Sequence, residues 1–68
     1  MKNRIRVIRA ERRLSQAALA KMVGLSRTAL VAIENEKSCP DGNTIAKFVK
    51  ALGIPVEDIF LDLRVMQK

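Results

Sequence analysis

Apolar residues recur every three or four positions along most of this chain, a spacing typical of amphipathic helices. Within residues 16–35 this pattern is broken once, at Gly24, a residue that tolerates the positive φ common just past a helix end. Ser15 and Ser26 precede the two halves and are good N-cap residues. The inward-facing positions are Leu19, Ala20, Val23, Leu30 and Ile33. The segment therefore predicts two short helices that meet at a sharp turn, a helix-turn-helix.

Further helices are expected on both sides of this motif. The first covers residues 3–12, and a fourth runs from a cap at Asp41 to Leu52. Pro55 then opens a short fifth helix that ends near Phe60. The predicted fold class is all-α, a compact bundle of five helices.

The C-terminal tail has a different period. Leu61, Leu63 and Val65 alternate with Asp62 and Arg64, as in a half-buried strand. A strand needs a partner, either the residues at the N-terminus or the same tail of a second subunit. A frayed terminus is the competing interpretation. We therefore divide the chain into a domain of residues 1–60 and an extension of residues 61–68.

An ordered set of short motifs spans nearly the whole chain. It consists of Leu14-Ser15-Gln16, Leu19-Ala20, Val23-Gly24-Leu25-Ser26, Ile33-Glu34-Asn35 and Ala51-Leu52-Gly53. In this order the motifs resemble the phage repressors, Cro proteins and Xre-like bacterial regulators. The resemblance implies a lambda-repressor-like fold and binding of double-stranded DNA.

Charge supports a nucleic-acid partner. Lysine and arginine number 13 against 7 acidic residues, for a net charge of +6 in 68 residues. The excess is concentrated before the first turn, at Lys2, Arg4, Arg6, Arg9, Arg12 and Arg13. Such a domain suits DNA or an anionic membrane, but no apolar run approaches the roughly 18 residues of a membrane span. Without a signal-peptide core either, we expect a cytoplasmic protein with access to the chromosome.

Catalytic chemistry finds few residues to use. The chain has no histidine, no tyrosine and a single cysteine, which excludes the common acid–base and metal-binding arrangements. We expect no enzyme activity, no metal, no cofactor and no small-molecule ligand. The single cysteine, Cys39, indicates a reducing compartment and is predicted to be a partly buried, inert thiol.

The resemblance implies a set of phosphate contacts. Gln16 matches a glutamine that contacts a backbone phosphate in the family, and the start of a helix already favours an anion. Ser26, Asn35 and Lys37 complete the expected set, and Asn35 can also cap the third helix. Such contacts give salt-dependent affinity but carry no sequence information.

Base reading is expected from the outward side of the third helix, residues 27–35. Family position and spacing assign it to Arg27, Thr28, Val31 and Ala32. Arg27 can donate two hydrogen bonds to guanine, and the apolar side chains suit thymine methyl groups. The competing interpretation is that the apolar positions form a protein-contact patch.

Arg9 and Glu34 match an arginine and a glutamate that form an ion pair between the first and third helices of the family. Two residues depart from the family pattern. Glu36 replaces a common glycine at the exit of the third helix, so that exit is expected to be stiffer or capped differently. Gly42 replaces an apolar residue that often anchors the fourth helix.

These features predict a homodimeric transcriptional regulator, a repressor, that inserts its third helix into the major groove of a palindromic operator. Ile59, Leu61, Leu63 and Val65 are the predicted dimer contacts. The main alternative is a protein-interaction module with the same fold, as in some antitoxins and bridging factors. Nonspecific coating of DNA is a third interpretation.

Overall fold

The structure is a computed structural model, and the residues that it describes are 1–61. These residues form α1 (Ile5–Arg12), α2 (Gln16–Val23), α3 (Arg27–Glu34) and α4 (Gly42–Leu52), followed by a 3₁₀ turn (Val56–Asp58). The all-α prediction is confirmed for this part of the chain, with four α-helices rather than five. No helix within these residues is long and apolar enough to cross a bilayer.

The predicted fifth helix is wrong. The carbonyl of Ile59 accepts a hydrogen bond from the backbone N–H of Arg4 at 2.8 Å, and Phe60 forms a single antiparallel bridge with Asn3. These pairings with the N-terminus draw the backbone away from a helical path after one 3₁₀ turn. Within residues 1–61 the predicted tail strand amounts to this one bridge. Leu63 and Val65 lie outside the described residues.

Helix α1 begins two residues later than predicted because Asn3 has another role. Its side-chain Oδ1 accepts from the backbone N–H of Ile5 at 3.1 Å, and its Nδ2 donates to the carbonyl of Ile33 at 3.0 Å. One amide therefore accepts from the first backbone N–H of α1 and ties this helix to the end of α3, which fixes the relative position of two helices distant in sequence.

The three predicted N-caps are confirmed. The side chains of Ser15, Ser26 and Asp41 accept from the backbone N–H three residues on, at 3.0, 3.1 and 2.8 Å. Gly24 and Gly53 end α2 and α4 with φ of 81° and 68°, values that side chains strain to adopt. Helices α2 and α4 thus begin and end where local sequence predicts.

After α1 and α3 the chain also adopts the left-handed conformation, but at a residue other than glycine. Arg13 has φ 55° and Glu36 has φ 63°. After α3, the N–H of Glu36 bonds to the carbonyl of Ile33 and that of Lys37 to the carbonyl of Ala32, at 3.0 and 2.9 Å. This is a Schellman motif, so Glu36 adopts the conformation for which glycine is preferred.

The core joins all four helices and the 3₁₀ turn. At its centre Phe48 and Phe60 pack edge to face with ring centroids 5.4 Å apart. Ile45 and Val49 of α4 are only partly buried and pack at the margin of this core. The buried apolar residues are Ile5, Ile8, Leu19, Ala20, Val23, Leu30, Ile33, Phe48, Leu52, Ile59 and Phe60.

Candidate nucleic-acid interface

In the turn between α2 and α3, two backbone N–H groups donate to the same carbonyl. Ala20 accepts hydrogen bonds from the backbone N–H groups of both Gly24 and Leu25, each at 2.9 Å. Ala20 is itself buried, which lets the two helices approach closely. Because Ser26 caps α3 immediately afterwards, the first turn of α3 is held in a fixed direction relative to α2.

Helix α3 has one buried and one accessible side. Leu30 and Ile33 face the core. Arg27 and Thr28 are exposed, whereas Val31 and Ala32 are half-buried. The four residues predicted to read bases thus share the accessible side, with the polar pair at the N-terminal end and the apolar pair in the middle.

Glu34 is the centre of a hydrogen-bond network behind α3. Its side chain is only 1% exposed and accepts from Arg9 at both oxygens, with Nε–Oε1 at 2.7 Å and Nη2–Oε2 at 3.1 Å. Arg9 also donates to the carbonyl of Leu14 at 3.0 Å. The two predicted partners therefore form a bidentate pair that joins α1 to α3 and to the segment before α2.

Electrostatics of this pair favour the charged forms. The hydrogen bond from Arg9 lowers the pKa of Glu34 despite burial, and Gln16 adds to the effect. The same bond to Glu34 raises the pKa of Arg9 despite its desolvation. The carboxylate thus stays ionised at neutral pH and remains a fixed anchor for the side chains around it.

Gln16 connects the Glu34 carboxylate to the accessible side of α3. Its Nε2 donates to Glu34 Oε2 at 3.3 Å, and its Oε1 accepts from Arg27 Nη2 at 3.4 Å. The contact with Glu34 orients the amide with its oxygen towards Arg27. A predicted phosphate contact and a predicted base reader therefore lie within hydrogen-bond distance of each other.

At the other end of α3, Arg6 contacts Asn35, a residue predicted to bind phosphate. Arg6 Nη2 donates to Asn35 Oδ1 at 2.8 Å, and Arg6 Nε lies 3.6 Å from Glu34 Oε2. Sequence reasoning did not assign Arg6 to the site. Its signal was the spacing of three residues from Arg9, which places both arginines on one side of α1.

The remaining predicted residues are placed as follows. The Ser26 hydroxyl accepts from the N–H of Ala29, so it is occupied as a cap but can still donate its own proton. Lys37 is exposed just after α3. Cys39 is also exposed, so the prediction of a partly buried thiol is wrong; it lies in the loop before α4 rather than under a helix.

Of the predicted dimer contacts, Ile59 is buried inside the chain with 0% exposure. Its side chain has no surface for a second subunit because it fills the core beneath the 3₁₀ turn. Leu61 is half-buried, and its N–H donates to the carbonyl of Lys2 at 3.0 Å. Leu63 and Val65 are outside the described residues.

A comparison with protein families decides the classification. The helix-turn-helix family HTH_3 matches residues 5–59, which include all four helices. The chain belongs to this helix-turn-helix family. It is accordingly a DNA-binding transcriptional regulator and not an enzyme.

Individual helix-turn-helix proteins resemble the chain over most of its length. It is 41% identical over 61 residues to an uncharacterised HTH-type transcriptional regulator of Methanocaldococcus jannaschii, covering 90% of this chain and 92% of that protein. It is 43% identical over 56 residues to an immunity repressor protein of Bacillus phage phi105, covering 82% of this chain but 39% of the repressor.

A solved structure shows the same fold. The crystal structure of a hypothetical transcription factor from Neisseria superposes with a TM-score of 0.72 at 28% identity, covering 91% of this chain and 72% of that one. The helix-turn-helix arrangement derived above from caps, burial and turn geometry is thus shared with a protein of related sequence.

Proposed function

We propose that the chain is a sequence-specific DNA-binding repressor that acts as a homodimer and inserts α3 into the major groove. The observation that carries the proposal is the accessible side of α3, where Arg27 and Thr28 stand exposed at the N-terminal end. An α-helix with its side chains is about 10–12 Å across, and the major groove is about 12 Å wide, so α3 can enter the groove.

Base reading follows from the chemistry of this side. Arg27 would donate two hydrogen bonds to O6 and N7 of a guanine, worth about 1–3 kcal/mol of discrimination. The apolar atoms of Thr28, Val31 and Ala32 would contact thymine methyl groups. A half-site that contains a guanine next to one or more thymines fits this order of residues.

Phosphate contacts would fix the register of α3. Gln16 lies at the N-terminus of α2, where free backbone N–H groups favour an anion. Ser26 has a free hydroxyl proton beside Arg27, and Asn35 with Lys37 lies at the opposite end of α3. These groups lie on both sides of the base-reading residues. Phosphate contacts there would position the protein on the DNA, and the base contacts between them would determine which sequence is bound.

A homodimer would bind two half-sites about one helical turn apart, on a palindromic operator. With Ile59 buried in the core, the contacts would come from Leu61 and from Leu63 and Val65 in the extension of residues 61–68. Bound over a promoter in the cytoplasm, the dimer would exclude polymerase. Sedimentation equilibrium tests the assembly: a single species of monomer mass at micromolar concentration would contradict it.

Selection of bound duplexes from a random-sequence pool tests the specificity. The recovered sites should share a guanine flanked by thymine. Replacing that guanine by 7-deazaguanine should weaken binding to wild type but not to Arg27→Ala, because only the wild type has a donor for N7. Replacing thymine by uracil removes only the methyl group and should also weaken binding. Unenriched pools would indicate a protein that coats DNA without reading it.

A second function, as a protein-interaction module, is favoured by one feature. Helices α2 and α4 enclose an open groove of about 400 Å³ lined by Met22, Val23, Lys47, Lys50 and Ala51. Met22 is 48% exposed there, which is high for a large apolar side chain. Absence of DNA binding at low salt would move this function to first place.

A further inference from the structure

Arg6 extends from α1 to the residue that ends α3. Its guanidinium donates to Asn35 Oδ1 at 2.8 Å, across 29 positions of sequence. Its side chain nevertheless remains 69% exposed. The head group is thus held in place by the protein on one side and open to solvent on the other.

The charge of Arg6 is not neutralised by the buried carboxylate. Glu34 already accepts two hydrogen bonds from Arg9 and one from Gln16, at 2.7 to 3.3 Å. Arg6 Nε lies 3.6 Å from Oε2, beyond hydrogen-bond distance. A single carboxylate cannot balance two guanidinium groups, so a positive charge remains at the end of α3.

Asn35 presents donors at the same place. Because its Oδ1 is occupied by Arg6, its Nδ2 hydrogens are what it can offer to a further partner. The bond to Asn35 uses one of the five donors of the guanidinium. Arg6 and Asn35 together form a donor-rich, positively charged pair, which suits an anion with several acceptor oxygens.

We propose that Arg6 and Asn35 form a phosphate-binding pair that contacts the DNA backbone at the C-terminal end of α3. This inference rests on the proposed function and adds a residue of α1 to the interface. Arg6 also holds the Asn35 amide in its orientation, so both side chains are ordered before DNA arrives, which lowers the entropy lost on binding.

The test is the salt dependence of binding to a mixed-sequence duplex, followed by fluorescence anisotropy with wild type and Arg6→Gln. A phosphate contact contributes about 0.9 to the slope of log K against log salt, so the variant should have a slope shallower by roughly that amount. At 0.15 M salt, the loss of one phosphate contact should lower the affinity of Arg6→Gln about fivefold relative to wild type. The loss should be equal on a selected site, because phosphate contacts do not read sequence.

Lys50→Gln is the matched control, since it removes the same charge from α4, outside the two helices of the motif. It should change the slope much less than Arg6→Gln does. Arg6→Lys keeps the charge and should retain most of the slope. Circular dichroism should show all three variants folded, because the Arg6 side chain is 69% exposed, Lys50 is also exposed, and surface substitutions change stability little.

Two outcomes separate this inference from the proposed function. Wild-type binding with an unchanged slope in Arg6→Gln, or an equal change in Lys50→Gln, would overturn the phosphate-binding pair alone. Failure of the wild type to bind either duplex at low salt would overturn the proposed function and this inference with it.

Discussion

Replacing Arg9 by methionine leaves the Glu34 carboxylate without its main partner in the core of the interface between α1 and α3. The Glu34 side chain is 1% exposed and Arg9 is 17% exposed, so solvent cannot substitute for the lost hydrogen bonds at Glu34. Breaking a buried pair in this way costs about 3–5 kcal/mol. A domain of 68 residues has a total stability of about 3–10 kcal/mol, so Arg9→Met should lose a third or more of it.

The reciprocal change should cost less. Glu34→Met leaves Arg9 with its bond to the Leu14 carbonyl and with partial access to water, so we expect a loss of about 1–3 kcal/mol. The double variant buries two apolar side chains in place of the charges and should lie within about 1 kcal/mol of wild type. A double-mutant cycle should therefore give a coupling energy of about 3 kcal/mol or more.

Urea denaturation followed by circular dichroism measures these values, since the chain has no tryptophan or tyrosine for fluorescence. All four proteins are made with Gly42→Ala, expected to be stabilising, which offsets part of the loss in Arg9→Met. A coupling energy within about 0.5 kcal/mol of zero would refute the reasoning, because that is the error expected for independent sites. A greater loss in Glu34→Met than in Arg9→Met would refute the assignment of Glu34 as the more deeply buried partner.

Three further perturbations have defined outcomes. Because the pKa of Glu34 is lowered in the folded state, its carboxylate stabilises the fold at pH values above the ordinary glutamate pKa of 4.5. This contribution should disappear as pH falls through the folded-state pKa. Urea titrations from pH 7 to about 3 should therefore show a weaker acid dependence of stability in Glu34→Gln than in wild type. Gly42→Ala should raise stability by about 0.4–1 kcal/mol because a Cβ there meets nothing within 4 Å, whereas Gly24→Ala, at φ 81°, should lower it; equal effects in thermal melts would contradict this. Glu36→Gly should raise stability by roughly 1 kcal/mol, because glycine adopts φ 63° without strain, and it should also tighten DNA binding by removing a negative charge. Glu36→Gln should tighten DNA binding without changing stability. A stability gain in both variants would indicate that the charge of Glu36, and not its backbone conformation, destabilises the fold.

Local features of the fold could be predicted from the sequence because local chemistry decides them. Ser15, Ser26 and Asp41 cap their helices through backbone groups three residues away. The positive φ of Gly24 and Gly53 likewise requires only the absence of a Cβ. These features position the two helices of the motif, so a nucleic-acid-binding site could be predicted from the sequence alone.

Among features that depend on distant residues, the Arg9–Glu34 pair was predicted through the family resemblance, but others were missed or predicted wrongly. The fifth helix was predicted from Pro55 onward, but the carbonyl of Ile59 bonds to Arg4 across the whole chain. The contact between Arg6 and Asn35 spans 29 positions; the spacing of Arg6 and Arg9 places both on one side of α1 but does not identify Asn35 as the partner. Glu36 was expected to change the exit of α3, yet the chain accepts a left-handed glutamate and keeps the turn.

Fluorescence anisotropy on the DNA upstream of the gene for this chain, against a scrambled duplex at several salt concentrations, tests sequence-specific binding most directly. We expect tighter binding to the upstream DNA by a factor of about 10³ or more, with a steep salt dependence. Equal affinity for the two duplexes would contradict an autoregulatory, sequence-reading repressor. Absence of binding to both at low salt would contradict DNA recognition by α3 altogether.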